Sequence, residues 1–218
     1  MPVIEKIAHH FSGKNRHAKW DIFLQHFTPS PDLKVLDVGF TNNEYSNNDN
    51  FLEKHYPYSS QITALGVETA EKFSKRYPSV NVVTYDGSFF PFEDGSFDLC
   101  WCNAVIEHVG NRNDQRRFLK EISRICSNAW ITTPNLYFPV EVHTRTPLLH
   151  MINKRIFDKY LCVIGKKWAT GDYMNLLSRK TIEELLDAAG IHNYRILNNR
   201  LFGFVMEYII IIKVDKFV

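Results

Sequence analysis

Lys34-Val35-Leu36-Asp37-Val38-Gly39, running into Phe40-Thr41-Asn42-Asn43-Glu44, is the stretch whose reading decides the fold. Its apolar, mostly branched positions read as a strand buried on both faces. The strand ends in an acidic residue and a glycine. In an open α/β sheet, ligands bind beyond the carboxyl ends of strands, where the strand order switches direction. A glycine there lets backbone approach a ligand closely, and a polar turn leaves amides free to point at it. Taken alone, Asp-x-Gly at a strand end serves turn formation as readily as binding. The intervals at which similar endings recur make the difference.

Downstream, Asn47 to Tyr56 suits a helix capped by Asn48 or Asp49 and stopped by Pro57. Gln61 to Val67 reads as a second strand with Glu68 at its carboxyl end, the position where dinucleotide folds accept hydrogen bonds from ribose hydroxyls. A helix over Thr69–Tyr77 ends at Pro78, and a third strand over Val80–Tyr85 delivers Asp86-Gly87-Ser88. The turn-rich Phe90-Pro91-Phe92-Glu93-Asp94-Gly95-Ser96 leads to a fourth strand, Phe97 to Asn103. Four successive strands thus bring Asp37 with Gly39, Glu68, Asp86 and Asn103 to one edge.

Arg112 to Cys126 carries Phe118, Leu119, Ile122 and Ile125 at helical spacing, and Asn128 to Thr133 reads as a fifth strand closed by Pro134-Asn135. Thr181 to Ala189 is a helix with Gly190 as its C′ residue. Ile191–Asn198 and Leu201–Val214 form a closing pair around Asn198-Asn199-Arg200, and so short a link makes them antiparallel. At the other end, Val3 to Phe27 suits two short amphipathic helices broken at Ser12-Gly13 and stopped by Thr28-Pro29-Ser30-Pro31. Alternating strands and helices imply an α/β fold with a parallel sheet and one reversed strand.

The 218 residues suit one domain with a sizeable core, and 44% apolar with 23% charged residues is ordinary for a globular protein. A net charge of +2 is too small to argue for nucleic acid as partner. Cys100, Cys102, Cys126 and Cys162 have neither CxxC spacing nor the density of a disulfide framework and read as reduced thiols of a cytoplasmic protein. No secretory signal is apparent, and the run Ile209-Ile210-Ile211-Ile212 is too short to span a bilayer.

Val35-Leu36-Asp37-Val38-Gly39, Gly66-Val67-Glu68, Asp86-Gly87-Ser88 and Phe90-Pro91-Phe92-Glu93-Asp94-Gly95-Ser96-Phe97-Asp98, continuing to Asn103-Ala104-Val105-Ile106-Glu107-His108-Val109, resemble class I S-adenosylmethionine-dependent methyltransferases of the small-molecule branch. The resemblance covers about Leu33 to Pro134 and implies a Rossmann-like three-layer sandwich. Its seven-stranded sheet has the order 3-2-1-4-5-7-6 with strand 7 antiparallel. It also implies that S-adenosyl-L-methionine is the cofactor. Asp37 and Gly39 would line its methionine and ribose, Glu68 the ribose hydroxyls, Asp86 with Gly87 and Ser88 the adenine, and Asn103 the methionine moiety. The family usually has further glycines where this chain has Thr41 and Asn43, which leaves the loop's shape open. One domain over 1–218 is expected, made of N-terminal helices (1–31), a cofactor core (33–134), a cap inserted after strand 5 (135–178) and a closing helix with hairpin (179–218).

The connection Asn135 to Ser178 is far longer than the core requires, and long connections are functional or disordered. Its aromatic and apolar content argues against disorder, so it reads as a cap, mostly helical from about Leu148 to Val163. Glu141 and His143 fall on one face if their segment is extended; His143 then serves as a base oriented by Glu141, or both brace the cap. His108 competes for the base role. Glu107, His108, Glu141 and His143 could compose a metal site, but spacing does not show convergence, and no metal is expected. Asn135, Tyr137, Arg145 and Tyr173 are the candidate acceptor-binding residues.

Between Pro139 and Lys180, Arg145, Lys154, Arg155, Lys159, Lys166, Lys167, Arg179 and Lys180 stand against only Glu141, Asp158 and Asp172, an excess that suits an anionic substrate or a peripheral contact with a negatively charged membrane, and equally a solvated helix face. The segments Pro-Asn, Phe-Pro, Glu-x-His-Thr and Pro-Leu-Leu-His also resemble bacterial methyltransferases encoded with surface-polysaccharide and lipopolysaccharide genes. The expected reaction is methyl transfer to O or N of a sugar or glycan precursor. The alternatives are a small metabolite such as a quinone or lipid precursor, and a non-catalytic scaffold that kept the fold. Binding of the cofactor's demethylated product separates enzyme from scaffold. Oligomeric state is not legible.

Overall fold

The computed structural model describes residues 3–213, with backbone alone for residues 3–14 and Asp172. Seven strands are present: β1 (Val35–Val38), β2 (Ile62–Gly66), β3 (Asn81–Thr84), β4 (Phe97–Asn103), β5 (Cys126–Pro134), β6 (Tyr194–Leu201) and β7 (Phe204–Lys213). The α-helices are α1 (Val3–His26), α2 (Phe51–His55), α3 (Glu71–Arg76), α4 (Arg112–Ile125), α5 (Lys154–Val163) and α6 (Arg179–Ala188). The strand order is β3-β2-β1-β4-β5-β7-β6, as the family resemblance implied. β1 and β2 pair in parallel, as do β2 and β3, whereas β7 is antiparallel to both β5 and β6. The chain forms two compact units, residues 1–91 with 97–101, and residues 92–96 with 102–218.

In the first unit every residue of β1 is buried, the pattern of a strand covered on both faces. Trp20 and Phe23 of α1 stack at 5.0 Å, and Trp101 meets both rings edge-on at 5.8 and 5.0 Å. α1 is a single helix rather than two. Gly13 weakens a helix by about 1 kcal/mol relative to alanine, too little to break it when no proline assists. The side chains of Ile4, Ile7 and Phe11 lie outside the described residues.

α2 is shorter than expected, and Asn50 stands at its N-cap position with a left-handed backbone, φ 47°, and no side-chain cap bond. Asp49 instead closes the preceding turn, accepting from the amides of Tyr45 and Ser46 and from the Ser46 hydroxyl. Such local side-chain bonds compete with helix for the same amides.

In the second unit α4 buries Phe118, Leu119, Ile122 and Ile125 along one face and packs on β5 and α6. Its start is a capping box: Asn111 accepts from Asn113 N, while Asp114 accepts from Asn111 N. The hairpin turns at Phe202-Gly203, not at Asn198-Asn199-Arg200, which lie within β6 beside a bulge. Both turn residues have positive φ, 49° and 85°, the twist-matched arrangement that glycine makes accessible. Val214, expected in the last strand, lies outside the described residues. Cys100, Cys102, Cys126 and Cys162 are all free thiols. Among the described residues no helix is long and apolar enough to cross a membrane.

Gly66, the last residue of β2, is buried, and a Cβ there would come within 2.7 Å of the Phe40 ring. Phe40 is itself buried and packs on Phe73 at 4.6 Å, so it has little freedom to retreat. Gly66→Ala is therefore expected to destabilise the protein by about 1–3 kcal/mol, the cost of overpacking. Urea denaturation checks this, and Phe40→Leu in the same chain should restore part of the loss.

Candidate active site

The sequence-derived cofactor residues of the first unit sit at the carboxyl ends of β1, β2 and β3. Gly39 is exposed with φ 100°, a conformation that L side chains rarely adopt, and its amide donates to Leu65 O at 2.8 Å. Glu68 is exposed, and its Oε2 accepts from Asn42 N at 3.2 Å. Its other carboxylate oxygen meets no partner among the described residues. Asp86 accepts from Ser88 N at 2.8 Å across Gly87, whose φ of 86° closes this small turn.

Asn42 carries the loop. Its side-chain oxygen accepts from Lys72 N and Phe73 N, capping α3 from outside the helix, and its amide nitrogen donates to Thr69. Asn50 clasps Thr41 through both backbone groups at 2.9 Å and also donates to Glu44. Burial would raise the Glu44 pKa, but hydrogen bonds from Tyr77, Asn50 and Lys54 outweigh it and hold it low. Side-chain hydrogen bonds thus shape the turn in which the family usually has further glycines.

Asp37 is only 6% exposed, and its neighbour is the buried carboxyl of Glu53, whose oxygens meet no conventional donor. Burial raises Asp37 well above the usual carboxylate range, and the charge of Glu53 raises it further against a partial offset from Arg16. Burial raises Glu53 as well. Such a pair retains a proton between its carboxyls.

The second unit gathers a different set. β4 ends at Asn103, which accepts from the Thr132 hydroxyl at 3.0 Å, and a 3₁₀ turn over Ile106–His108 follows. Gln115 of α4, fully buried, donates to Ile106 O and Asn175 O, while Asn175 donates to Glu107 O and Gly110 O. These bonds hold the turn against the segment after α5.

Within the turn, Glu107 is 0% exposed; its Oε2 accepts from Thr133 at 2.9 Å, and its Oε1 has no hydrogen-bond partner. Burial raises its pKa, in part offset by His108 and His143. His108 Nδ1 lies 2.8 Å from the carbonyl of Tyr173, and its Nε2 lies 3.2 Å from His143 Nε2.

His143 belongs to a tight loop, not an extended segment. Val140 bridges Pro147, Glu141 N donates to Thr146 O, and the Glu141 carboxylate turns back to accept from His143 N, Thr144 N and the Thr144 hydroxyl. The same carboxylate accepts from His143 Nδ1 at 2.8 Å. Burial alone would raise Glu141, but the His143 contact and these donors bring it down to about 2. For His143 burial lowers the pKa, and Glu141 and Glu107 more than reverse it. Glu141 is an orienting group here, fixing the ring of His143.

His108, His143 and Glu141 are therefore brought together, with Glu107 added to them. Tyr173 joins through its carbonyl and its ring, 4.9 Å from His108 and 5.7 Å from Trp168. Asn135, Tyr137 and Arg145 are not part of this group. Asn135 is buried and spent on Val205 O and Tyr137 N, while Tyr137 and Arg145 are exposed. Glu107 was visible in sequence only as a member of a possible metal set with His108, Glu141 and His143; Gln115, Thr133 and Asn175 gave no signal. A cavity of ≈ 230 Å³ in this unit is lined by Arg112, Leu136, His150, Lys154 and Phe157 among others.

The sequence matches the family model of the methyltransferase domain over residues 36–129. No curated protein matches the chain. Among solved structures it is similar to the CurJ carbon methyltransferase, at 13% identity and TM-score 0.60, over 92% of this chain and 54% of that one. The chain thus spans about half the length of that neighbour. It is also similar to the N-terminal domain of EvdMO1 crystallised in the presence of SAH and D-fucose (15%, TM-score 0.56, 92% of this chain and 83% of that one). A third similarity is to a SAM-dependent methyltransferase from Aquifex aeolicus (15%, TM-score 0.56, 89% of each chain).

For the Asp37–Glu53 pair the sign of the pH dependence follows from the raised pKa values. Both carboxyls bind protons more tightly folded than unfolded, so their stabilising contribution is whole below about pH 4 and is lost as pH climbs through the folded values. Glu53→Gln is expected to be more stable than the parent by about 1 kcal/mol at pH 8 and no different near pH 4. Urea denaturation at both pH values reads this; an equal gap at both would mean that the carboxyls do not titrate together. Residues 36–129 thus match the methyltransferase domain model, within a sheet whose strand order is the one that the resemblance to class I S-adenosylmethionine-dependent methyltransferases implied.

Proposed function

We propose that the protein transfers the methyl group of S-adenosyl-L-methionine to an oxygen or nitrogen of a sugar or glycan precursor. The observation that carries methyl transfer is the exposed Gly39 turn, with the available carboxylates of Glu68 and Asp86 at the ends of the neighbouring strands. That set suits an adenosyl group: Glu68 keeps an oxygen for ribose hydroxyls, and no side chain at Gly39 obstructs the backbone. When bound, the cofactor supplies an electrophilic sulfonium methyl for in-line transfer. The chain's own work is to position donor and acceptor, which supplies most of such a rate, and to manage the proton the acceptor loses. Glu107, His108 and His143 do the latter, with Glu141 holding His143 in a single orientation.

Three features support a sugar-like and anionic acceptor. Trp168 and Tyr173, 53% and 49% exposed, continue the ring series that begins at His108, and exposed rings of this kind pack against the C–H face of a pyranose. The cap's excess of Lys and Arg, with Arg112 and Lys154 lining the cavity, suits a phosphate or carboxylate. One structural neighbour was crystallised with SAH and D-fucose. A second reading, an apolar acceptor such as a quinone or lipid precursor, draws on exposed Leu148, Ile152 and Ile156 in the cap.

Calorimetry with S-adenosylhomocysteine tests the cofactor assignment. Binding is expected at micromolar strength, and Glu68→Ala should weaken it by about tenfold or more while leaving the circular dichroism unchanged, as loss of a charge-assisted hydrogen bond implies. No binding by the folded protein would favour a scaffold. With nucleotide sugars as acceptors, His143→Ala should lower S-adenosylhomocysteine production by about 100-fold or more with cofactor affinity intact. Undiminished production would make His143 a structural residue.

A further inference from the structure

From the sequence no metal is expected, because spacing does not show convergence. The fold supplies that convergence. We propose that Glu107, His108 and His143 form a binding site for one divalent first-row transition-metal ion.

The argument begins with the protons. His108 Nδ1 faces the Tyr173 carbonyl and His143 Nδ1 faces the Glu141 carboxylate, both at 2.8 Å. Neither partner can donate, so each Nδ1 carries a hydrogen, and each ring in its neutral form presents a lone pair at Nε2. These two nitrogens nevertheless point at each other across 3.2 Å. The third group, Glu107 Oε1, is completely buried, has no donor, and lies 3.8 Å from His143 Nε2. One ligand atom from each of the three residues falls within 4.8 Å of the others. Three lone pairs therefore converge, and a cation must separate them.

A proton shared between the imidazoles would satisfy the two nitrogens only. At 3.8 Å Glu107 Oε1 is beyond hydrogen-bond reach, and an unpaired buried carboxylate oxygen is costly. A metal ion satisfies all three at once. Ligand atoms each about 2.1 Å from one ion lie roughly 3.0–3.4 Å from one another, so the imidazole spacing already fits, and Glu107, 3.8 Å from His143 Nε2 and within 4.8 Å of the other ligand atoms, closes on them by a side-chain shift on the order of an ångström.

The surroundings are those of a metal site as well. A histidine ligand characteristically donates its other N–H to a carboxylate or a backbone carbonyl, and here Glu141 and Tyr173 are those acceptors. Thr133 orients the Glu107 carboxylate in the same manner. Two imidazoles and one carboxylate suit Zn²⁺, Fe²⁺, Co²⁺ or Mn²⁺ better than Mg²⁺ or Ca²⁺, which favour oxygen ligands and water. The His143 side chain is 22% exposed, so the remaining coordination positions are reachable from solvent. The role of the ion, though not the site, rests on the methyl-transfer reading. With both Nε2 atoms engaged by the ion, the three residues would manage the acceptor's proton through it: a hydroxyl bound at an open position would ionise more readily and lose its proton to water rather than to an imidazole.

The test is Co²⁺ titration of the full chain after chelator treatment, followed by calorimetry and visible absorption, in a Cys162→Ser background that removes the exposed thiol. The expected result is one ion per chain with the spectrum of imidazole ligation. Glu107→Gln and His143→Ala should each weaken binding by more than tenfold, and Glu141→Gln by about 10- to 100-fold through loss of the orienting contact. His108→Asn, on a half-buried turn, serves where Glu107→Gln does not fold. No uptake by a folded protein, or uptake that every variant retains, overturns the proposal. S-adenosylhomocysteine binding on the same preparation separates the two readings. Product binding without metal uptake rejects the site and leaves methyl transfer standing. Metal uptake without product binding supports the site and removes the role given to the ion.

Discussion

A carboxylate withdrawn completely from water is the constraint around which the second unit is arranged. Isolated burial of an ionised Glu107 would cost several kcal/mol, so the surrounding elements must supply donors or positive charge. β5 supplies the Thr133 hydroxyl, and the two histidines supply the rest of the field. The 3₁₀ turn that carries Glu107 is in turn held by Gln115 from α4 and Asn175 from the far end of the cap. Displacing any of these moves a buried charge.

The cap solves a related problem within a few residues. Its Glu141 collects backbone and side-chain donors from His143 and Thr144, and the ammonium of Lys166 donates to the Thr144 carbonyl behind them. Lys166 follows α5, whose Phe157 and Leu161 build a small apolar cluster with Ala169, Met174 and Leu176. Full burial of each large side chain in that cluster contributes about 1.5–3 kcal/mol, enough to order a loop of this size when several combine. The orientation of one imidazole therefore depends on a hydrophobic core of its own.

The first unit is held by different means. The turn after β1 has Gly39 as its single glycine, and Asn42 and Asn50 do the shaping through side-chain hydrogen bonds to α3, Thr41 and Glu44. Fewer glycines mean less chain entropy to lose on folding. The cost is one left-handed asparagine at Asn50. At the start of β4, Asp98 accepts from Lys34 N within this unit, and in the acidic stretch before the strand Asp94 pairs with Arg124 within the other. These residues, part of the most specific stretch of the family resemblance, anchor strands and loops.

The reversed last strand and the acidic or glycine residues at the strand ends were legible in the sequence, and the strand order was implied by the family resemblance. Alternation of strands and helices, apolar runs and a short final link are local signals of burial and connectivity. Local signals failed where two devices competed for the same backbone groups. Asp49 closes a turn where a helix was expected to begin, Ser12-Gly13 does not break α1, and Phe202-Gly203 turns the hairpin because glycine makes positive φ inexpensive there. The sequence by itself determined that histidines and carboxylates would follow β4 and open the cap. Only the tertiary structure decided that Glu107, His108 and His143 meet with their lone pairs facing one another. Convergence of residues so far apart in the chain is set by packing of the elements between them, and no spacing in a sequence records it.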